Sequence, residues 1–144
     1  INLSFPLNKM GKSLEKILLI EDENSILITM KFQLEEEGYL VETAKTYKDA
    51  VKAVKGEGNY SGLNEYKYII TDNQLPDGLG INLVKMIRGS EDKQYNNQDV
   101  KIIVMSGTMK EDNIKQKLQH YNVNLFLEKP TPLSYFTKIN LEKL

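Results

Sequence analysis

The sequence has no cysteine and only one histidine, His120, among its 144 residues. Without cysteine, the chain has no disulfide, no thiolate zinc site and no cysteine nucleophile. One histidine cannot by itself form a histidine-rich metal site. Because His120 lies between Gln119 and Tyr121, we expect it to be a hydrogen-bonded or solvated residue near the end of a surface helix.

Long apolar runs and an excess of one charge are also missing. The formal net charge is −1, from 19 basic and 20 acidic residues, and gives no electrostatic reason to expect direct binding to nucleic acid or to an acidic membrane. No apolar run has the length of a transmembrane helix, and residues 1–13 lack the apolar core of a signal peptide. We therefore expect a cytoplasmic protein with no nucleic-acid or membrane partner.

The length suits one domain with a single core. We predict a tail or linker over residues 1–14 and one domain over residues 15–144. The triplet at residues 11–13, Gly-Lys-Ser, resembles the end of a phosphate-binding P-loop. However, Pro6 stands where the first glycine belongs, and a strand follows the motif instead of preceding it, so we reject this interpretation.

Short apolar runs alternate with helical patterns along the rest of the chain. Residues 17–20, Ile-Leu-Leu-Ile, are too few for a helix and suit a buried strand, whereas residues 25–37 have helical apolar spacing and end at Gly38. The pattern predicts further strands at residues 40–44, 68–72, 102–105 and 123–127, with loops at 56–65 and 89–99. It predicts helices with the inward residues Ile26, Met30 and Leu34; Tyr47, Ala50, Val51 and Val54; Leu83, Val84 and Ile87; Ile114, Leu118 and Tyr121; and Leu133, Phe136 and Ile139.

Five strand–helix units in strict alternation predict an α/β fold with a five-stranded parallel sheet and helices on both faces. The first, third and fourth strands are almost wholly apolar, as central strands must be. The second strand carries Glu42 and the fifth carries Asn124, so both suit the edges. The flavodoxin-like, doubly wound order 2-1-3-4-5 agrees with this, although composition alone does not decide which central strands are neighbours.

Polar side chains follow the predicted strands where ligands bind in such sheets, beyond the carboxyl ends. These segments are Glu21-Asp22-Glu23, Asp72, Ser106-Gly107-Thr108 and Glu128-Lys129-Pro130. Two carboxylates about 4 Å apart repel by about 4 kcal/mol at an effective dielectric constant of about 20, and a divalent cation relieves this repulsion. A few carboxylates with a phosphate group and waters suit Mg²⁺. Asp72 could then attack phosphorus and form an aspartyl phosphate, with Lys129 and Ser106 contacting phosphoryl oxygens.

The same segments resemble those of response-regulator receiver domains, in order and over residues 15–144. Residues 17–23 resemble the acidic pocket, and residues 72–80, Asp-Asn-Gln-Leu-Pro-Asp-Gly-Leu-Gly, resemble the phosphoacceptor loop. Residues 104–107, Val-Met-Ser-Gly, and 128–130, Glu-Lys-Pro, are similar to the switch hydroxyl and the Lys-Pro pair. Glu21 replaces an aspartate often found in the family, Gly107 stands where alanine is usual, and two loops are longer than typical.

The resemblance implies a function and a role for each residue. The roles implied are metal contacts for Glu21, Asp22, Asp72 and the backbone carbonyl of Gln74; phosphoacceptor for Asp72; phosphoryl contacts for Lys129 and Ser106; and a switch formed by Ser106 and Phe126. The function implied is Mg²⁺-dependent acceptance of a phosphoryl group from a histidine kinase or histidine phosphotransfer protein. Phosphorylation would alter a surface of the fourth helix, fifth strand and fifth helix for an effector that the sequence does not identify. The domain would assist its own phosphorylation and dephosphorylation without being an enzyme.

Other interpretations of these segments exist. Taken singly, an acidic cluster is favoured at a helix N-terminus, and an aspartate such as Asp72 is common in turns. Lys129 could be solvated, Ser106 could cap a helix and Phe126 could face the core. Their joint placement favours a site. Two alternative functions are a phosphorylation-independent interaction module and a phosphohydrolase, the latter disfavoured because Gln74 is a poor proton donor for a leaving group.

Overall fold

A computed structural model describes Leu7 and residues 14–89, 96–107, 115–116 and 119–144. Its strands are β1 (Lys16–Ile20), β2 (Leu40–Ala44), β3 (Tyr66–Asp72), β4 (Gln74–Leu75), β5 (Gly78–Leu79), β6 (Lys101–Ser106) and β7 (Leu125–Glu128). Its helices are α1 (Asn24–Glu36), α2 (Tyr47–Lys55), α3 (Gly80–Gly89) and α4 (Lys138–Glu142), with 3₁₀ turns at Leu63–Glu65 and Leu133–Tyr135. No helix within the described ranges has the length and apolarity needed to cross a membrane.

Some predicted segments lie outside the described residues. They include nearly all of the tail at residues 1–14, the P-loop-like triplet, part of the loop at residues 89–99, and the inward residues Ile114 and Leu118 of the predicted fourth helix. Residues 115–116 and 119–120 of that predicted helix are helical. His120 is exposed, as the sequence predicts.

Five strands form one parallel sheet in the order β2-β1-β3-β6-β7. The remaining two, β4 and β5, pair as a separate antiparallel hairpin, so the sheet has the predicted order 2-1-3-4-5 and the flavodoxin-like fold is confirmed. The register aligns the carboxyl ends of the strands. Ile20 is paired with both Ala44 and Thr71, Asp72 with Met105, and Ser106 with Glu128.

Helices cover both faces of the sheet because successive strand residues point to opposite sides. Leu18 and Ile20 belong to a core shared with α2 and α3, whereas Ile17 and Leu19 belong to a core shared with α1 and α4. All four side chains are completely buried. β2 and β7 are the edge strands, as Glu42 and Asn124 predict.

The predicted last helix is wrong in its extent and partly wrong in its buried face. A 3₁₀ turn comes first, and α4 starts after Thr137, whose hydroxyl accepts a hydrogen bond of 3.2 Å from the Asn140 N–H. This new start changes which residues face inward. Phe136 is 1% exposed, as predicted, but Ile139 is 71% exposed and Leu133 is 37% exposed.

Two smaller differences concern α1 and β7. The buried residues of α1 are Leu27, Met30 and Leu34, with Ile26 only half-buried, so the inward face is displaced toward Leu27. β7 starts at Leu125, later than the predicted strand start at residue 123. Just before it, the Asn124 side-chain oxygen accepts hydrogen bonds from the Ile102 N–H and from Arg88, which holds this residue by its side chain.

The long loop after α2 is attached to β2 through Glu42. The Glu42 carboxylate accepts hydrogen bonds from the Ser61 N–H at 2.9 Å, from the Ser61 hydroxyl and from the Tyr66 hydroxyl at 2.6 Å. Burial opposes ionisation of this carboxyl, but the hydrogen bonds outweigh it and hold the Glu42 pKa below its ordinary value. Glu42, which the sequence marks only as an edge residue, therefore orders the loop.

Candidate functional site

Three charged side chains meet at the carboxyl edge of the sheet. Glu21 follows β1, Asp72 ends β3, and Lys129 follows β7. The Lys129 Nζ atom lies 2.7 Å from Asp72 Oδ2 and 3.1 Å from each carboxylate oxygen of Glu21. Glu21 is completely buried and Asp72 is 5% exposed, so the ammonium group compensates two carboxylates that have little access to water.

Backbone hydrogen bonds continue the sheet pattern past the strand ends and hold these residues in place. The Glu21 N–H donates to the Ala44 carbonyl at 3.0 Å, and the Lys129 N–H donates to the Ser106 carbonyl at 2.8 Å. The Asn73 N–H, next to Asp72, donates to the Met105 carbonyl at 2.8 Å. The rigid sheet therefore sets the separation of the reactive side chains.

Glu21, Asp22 and Asp72 form an acidic cluster, with one carboxylate oxygen from each lying within 4.8 Å of the others. Asp22 is exposed, whereas Glu21 and Asp72 are buried. Oxygen donors at this spacing, with one carboxylate open to water, fit a small hard cation that keeps several water ligands. The donor set is therefore suited to Mg²⁺.

The electrostatics of the cluster are set mainly by burial. Burial is the largest influence on the Glu21 carboxyl and raises its pKa, the hydrogen bonds from Lys129 lower it, and the nearby Asp72 charge raises it. The net result is a pKa of about 7. Burial also disfavours the charged form of Lys129, but its hydrogen bonds to Asp72 and Glu21 outweigh this effect and raise the Lys129 pKa. Lys129 therefore remains protonated, whereas Glu21 titrates near neutral pH.

The loop after Asp72 is packed closely against the end of β3. The Gln74 N–H donates to Asp72 Oδ1 at 3.1 Å, which places Gln74 beside the acidic cluster. A side chain at Gly80 would bring a Cβ atom within 2.6 Å of the Asp72 carbonyl oxygen, so this position requires glycine. The Gly80 N–H donates to the Asn73 carbonyl at 2.7 Å and the Ile81 N–H to the Asn73 side chain at 3.1 Å. Asn73, which the sequence did not mark as important, thereby joins the loop to α3.

Comparison with known proteins identifies the family. The family model described as "Response regulator receiver domain" matches residues 17–139. The chain belongs to the response-regulator receiver family. This family is one of signalling modules of two-component systems, as the sequence motifs predict.

Solved structures of receiver domains have the same fold. The non-phosphorylated HemR receiver domain from Leptospira biflexa is 29% identical, with a TM-score of 0.71 over 90% of this chain and 92% of that chain. The chemotaxis response regulator CheY4 of Vibrio cholerae is 24% identical, with a TM-score of 0.71 over 92% of this chain and 100% of that chain. A receiver protein from Pseudomonas putida is 21% identical, with a TM-score of 0.73 over 92% and 99%. Among curated proteins, none matches the chain.

In this receiver domain, the predicted switch residues lie on neighbouring strands. Ser106 ends β6 and is 1% exposed, whereas Phe126 lies in β7 opposite Val104 and is half-buried. Val104 and Phe126 pack on the core shared with α2 and α3. Strand alternation places Ser106 on the same face as Val104. Phe126 also lines a cavity of about 190 Å³ together with Lys115 and Gln119. The predicted switch residues thus share one face of the sheet, and Phe126 borders an open space.

The loop that follows Asp72 also contains Asp77, a residue that the sequence did not predict to be important. At the tip of the β4–β5 hairpin, its carboxylate accepts hydrogen bonds from the Tyr47 N–H at 2.6 Å and the Lys48 N–H at 3.0 Å. These bonds cap the N-terminus of α2 and lower the Asp77 pKa. The Asp-Gly dipeptide signals a turn, but its partners are 30 and 29 positions away in sequence, so no local pattern could reveal the contact.

Proposed function

We propose that this receiver domain accepts a phosphoryl group on Asp72 in a Mg²⁺-dependent reaction and thereby changes its binding surface. The proposal is carried by one observation, the contact of Lys129 Nζ with Asp72 Oδ2 at 2.7 Å beside the buried carboxylate of Glu21. This ammonium group can hold a phosphoryl oxygen as charge builds up on the transferring group.

The three carboxylates have different surroundings, and these favour Asp72 as the nucleophile. Both oxygens of Glu21 are hydrogen bonded to Lys129, and Glu21 is completely buried. Asp22 is exposed and offers a water-accessible metal ligand. Asp72 lies between the cation and the loop, with one oxygen on Lys129 and the other on the Gln74 N–H. In the step proposed, an Asp72 carboxylate oxygen forms a bond to phosphorus. The bond from phosphorus to a histidine nitrogen of the donor breaks, and its electron pair remains on that nitrogen.

The ion would be held by Glu21, Asp22 and Asp72, with the backbone carbonyl of Gln74 as the further protein ligand. When bound, Mg²⁺ offsets the negative charge shared by the carboxylates and the phosphoryl group. Lys129 then orients a phosphoryl oxygen, and the Ser106 hydroxyl is expected to hydrogen bond another. Formation of that bond would draw Ser106 toward Asp72 and favour an inward position of Phe126.

The proposed phosphoryl donor is a histidine kinase or a histidine phosphotransfer protein. The proposed downstream partner is an effector that binds the surface near Phe126. The domain turns over no separate substrate in this scheme, because the phosphoryl group stays on its own side chain. It assists only its own phosphorylation and dephosphorylation.

Intact-mass measurement with acetyl phosphate and Mg²⁺ tests the proposal. We expect one phosphoryl adduct on the wild-type protein and none on Asp72→Asn. Asp99→Asn is the matched control, because Asp99 is exposed and precedes β6 at the opposite edge of the sheet. An adduct that persists in Asp72→Asn would refute the assignment, and no adduct on the wild type would favour a phosphorylation-independent interaction module.

A further inference from the structure

A second feature lies beside the phosphoacceptor, a mainly apolar cavity of about 460 Å³ between the first half of α1 and the segment that follows β7. Its walls include the apolar side chains of Ile26, Met30, Met105 and Pro130, with Thr29 and Leu133 also in contact. Its volume lies within the range of small-molecule sites, about 300–1,000 Å³. The phosphoryl chemistry described above requires none of these apolar residues.

Lys129 connects this cavity to the phosphoacceptor. The Lys129 side chain is part of the cavity wall, and its Nζ atom lies 2.7 Å from Asp72 Oδ2. Lys129 therefore borders both the cavity and the phosphoacceptor. A small phosphodonor with its phosphorus atom at Asp72 could place an apolar leaving group against the methylene chain of Lys129 and into the cavity.

We propose that the cavity binds the acyl chain of acyl phosphates, so that donors with an extended aliphatic chain phosphorylate this domain faster than acetyl phosphate does. The inference rests on the proposed function, since Asp72 is the acceptor. An Asp72 oxygen forms a bond to phosphorus, and the bond between phosphorus and the carboxyl oxygen of the donor breaks. The electron pair leaves with that oxygen, and the products are the aspartyl phosphate and a free carboxylate. The Lys129 side chain lines the cavity, and its ammonium group, 2.7 Å from Asp72 Oδ2, can stabilise the negative charge of the departing carboxylate.

The size of the preference follows from the apolar lining. Burial of one methylene group changes affinity by about fourfold. Butyryl phosphate carries two methylene groups more than acetyl phosphate, and complete burial of both corresponds to about a fifteenfold preference. Because the cavity is open at one side, we expect a ratio of about fivefold to tenfold.

The test compares the rates of adduct formation with acetyl phosphate and butyryl phosphate at equal, subsaturating concentrations in Mg²⁺, measured by intact mass. Thr29→Phe places a ring in the cavity from the exposed side of α1. Ile28→Phe is the matched control, because Ile28 is 66% exposed on the same helix and does not line the cavity. We expect the butyryl-to-acetyl ratio to be high in the wild type and in Ile28→Phe, and to fall to about one in Thr29→Phe. The acetyl phosphate rate should be the same in the wild type and in Ile28→Phe.

A second variant fills the cavity independently, so that the test does not depend on correct folding of Thr29→Phe. Leu133→Trp fills the cavity from the opposite wall, at a residue that is 37% exposed, and should lower the ratio in the same way. Equal rates for the two donors in the wild type, or a ratio that survives both variants, would overturn the inference while leaving Asp72 as the acceptor. If neither donor modifies the wild type, the proposed function itself fails and the inference fails with it.

Discussion

Glu21 makes the stability of this domain depend on pH in a way that can be worked out from the site. Its carboxyl pKa is about 7 in the folded protein, against an ordinary value of 4.5. Between these two pH values the folded protein holds a proton that the unfolded chain has released, so the free energy of unfolding falls as pH rises. Once the pH is well above 7, the free energy of unfolding has fallen by about 3 kcal/mol.

Glu21→Gln isolates this contribution, because glutamine has the shape of the protonated acid and does not titrate. We expect the variant and the wild type to have similar stability near pH 5. Near pH 8.5 the variant should be more stable by about 3 kcal/mol in the absence of divalent cations. Urea unfolding at pH 5, 7 and 8.5 in a chelator measures the difference. Millimolar Mg²⁺ should reduce it, because a cation bound only to the folded protein favours the ionised carboxylate.

Glu23→Gln is the matched control for this experiment, since Glu23 is two positions away in sequence but exposed. Its stability relative to the wild type should change little with pH. The reasoning is refuted if the difference between Glu21→Gln and the wild type is flat across this range. It is also refuted if the wild type gains stability relative to the variant as pH rises.

Three further predictions address the metal, the switch and the loop. Mg²⁺ at a hundredfold excess over its dissociation constant should add about 2.7 kcal/mol to the free energy of unfolding. Asp22→Asn should raise the melting temperature without metal and abolish the stabilisation by Mg²⁺. If Mg²⁺ does not stabilise the wild type relative to a control of matched ionic strength, the metal site is excluded. Beryllofluoride, a stand-in for the phosphoryl group, should shift the Phe126 ring signals in an NMR spectrum. Ser106→Ala should weaken that shift but leave Asp72 open to modification, and an unchanged ring environment in the wild type would exclude this switch. Asp77→Ala should lower the melting temperature and speed hydrogen exchange at the Tyr47 amide, and unchanged exchange would show that its carboxylate is not needed to cap α2.

Much of the fold could be predicted because the signals for it are local. Completely apolar runs such as residues 17–20 suit strands covered on both faces, and the strict alternation of strands and helices implies a parallel sheet. The edge positions of β2 and β7 followed from Glu42 and Asn124. The prediction of the last helix was wrong where one apolar pattern was extended over two separate segments. Thr137 restarts the last helix and leaves Ile139 in solvent.

The candidate site could be predicted in outline for a topological reason. Parallel strands end at one edge of a sheet, so residues that follow them are brought together whatever their separation in sequence. Glu21 and Lys129 are 108 positions apart, and their side chains lie 3.1 Å from each other. The sequence therefore determined which residue types collect at this edge.

Only the tertiary structure decided how those residues affect one another. The Glu21 pKa is raised because β1 is covered on both sides and its end is closed to water, which no pattern around residue 21 encodes. The Asp77 cap and the cavity beside Lys129 likewise join segments far apart in the chain. Sequence periodicity records which side of each element is apolar. Distances, desolvation and enclosed volume arise only when the elements pack together.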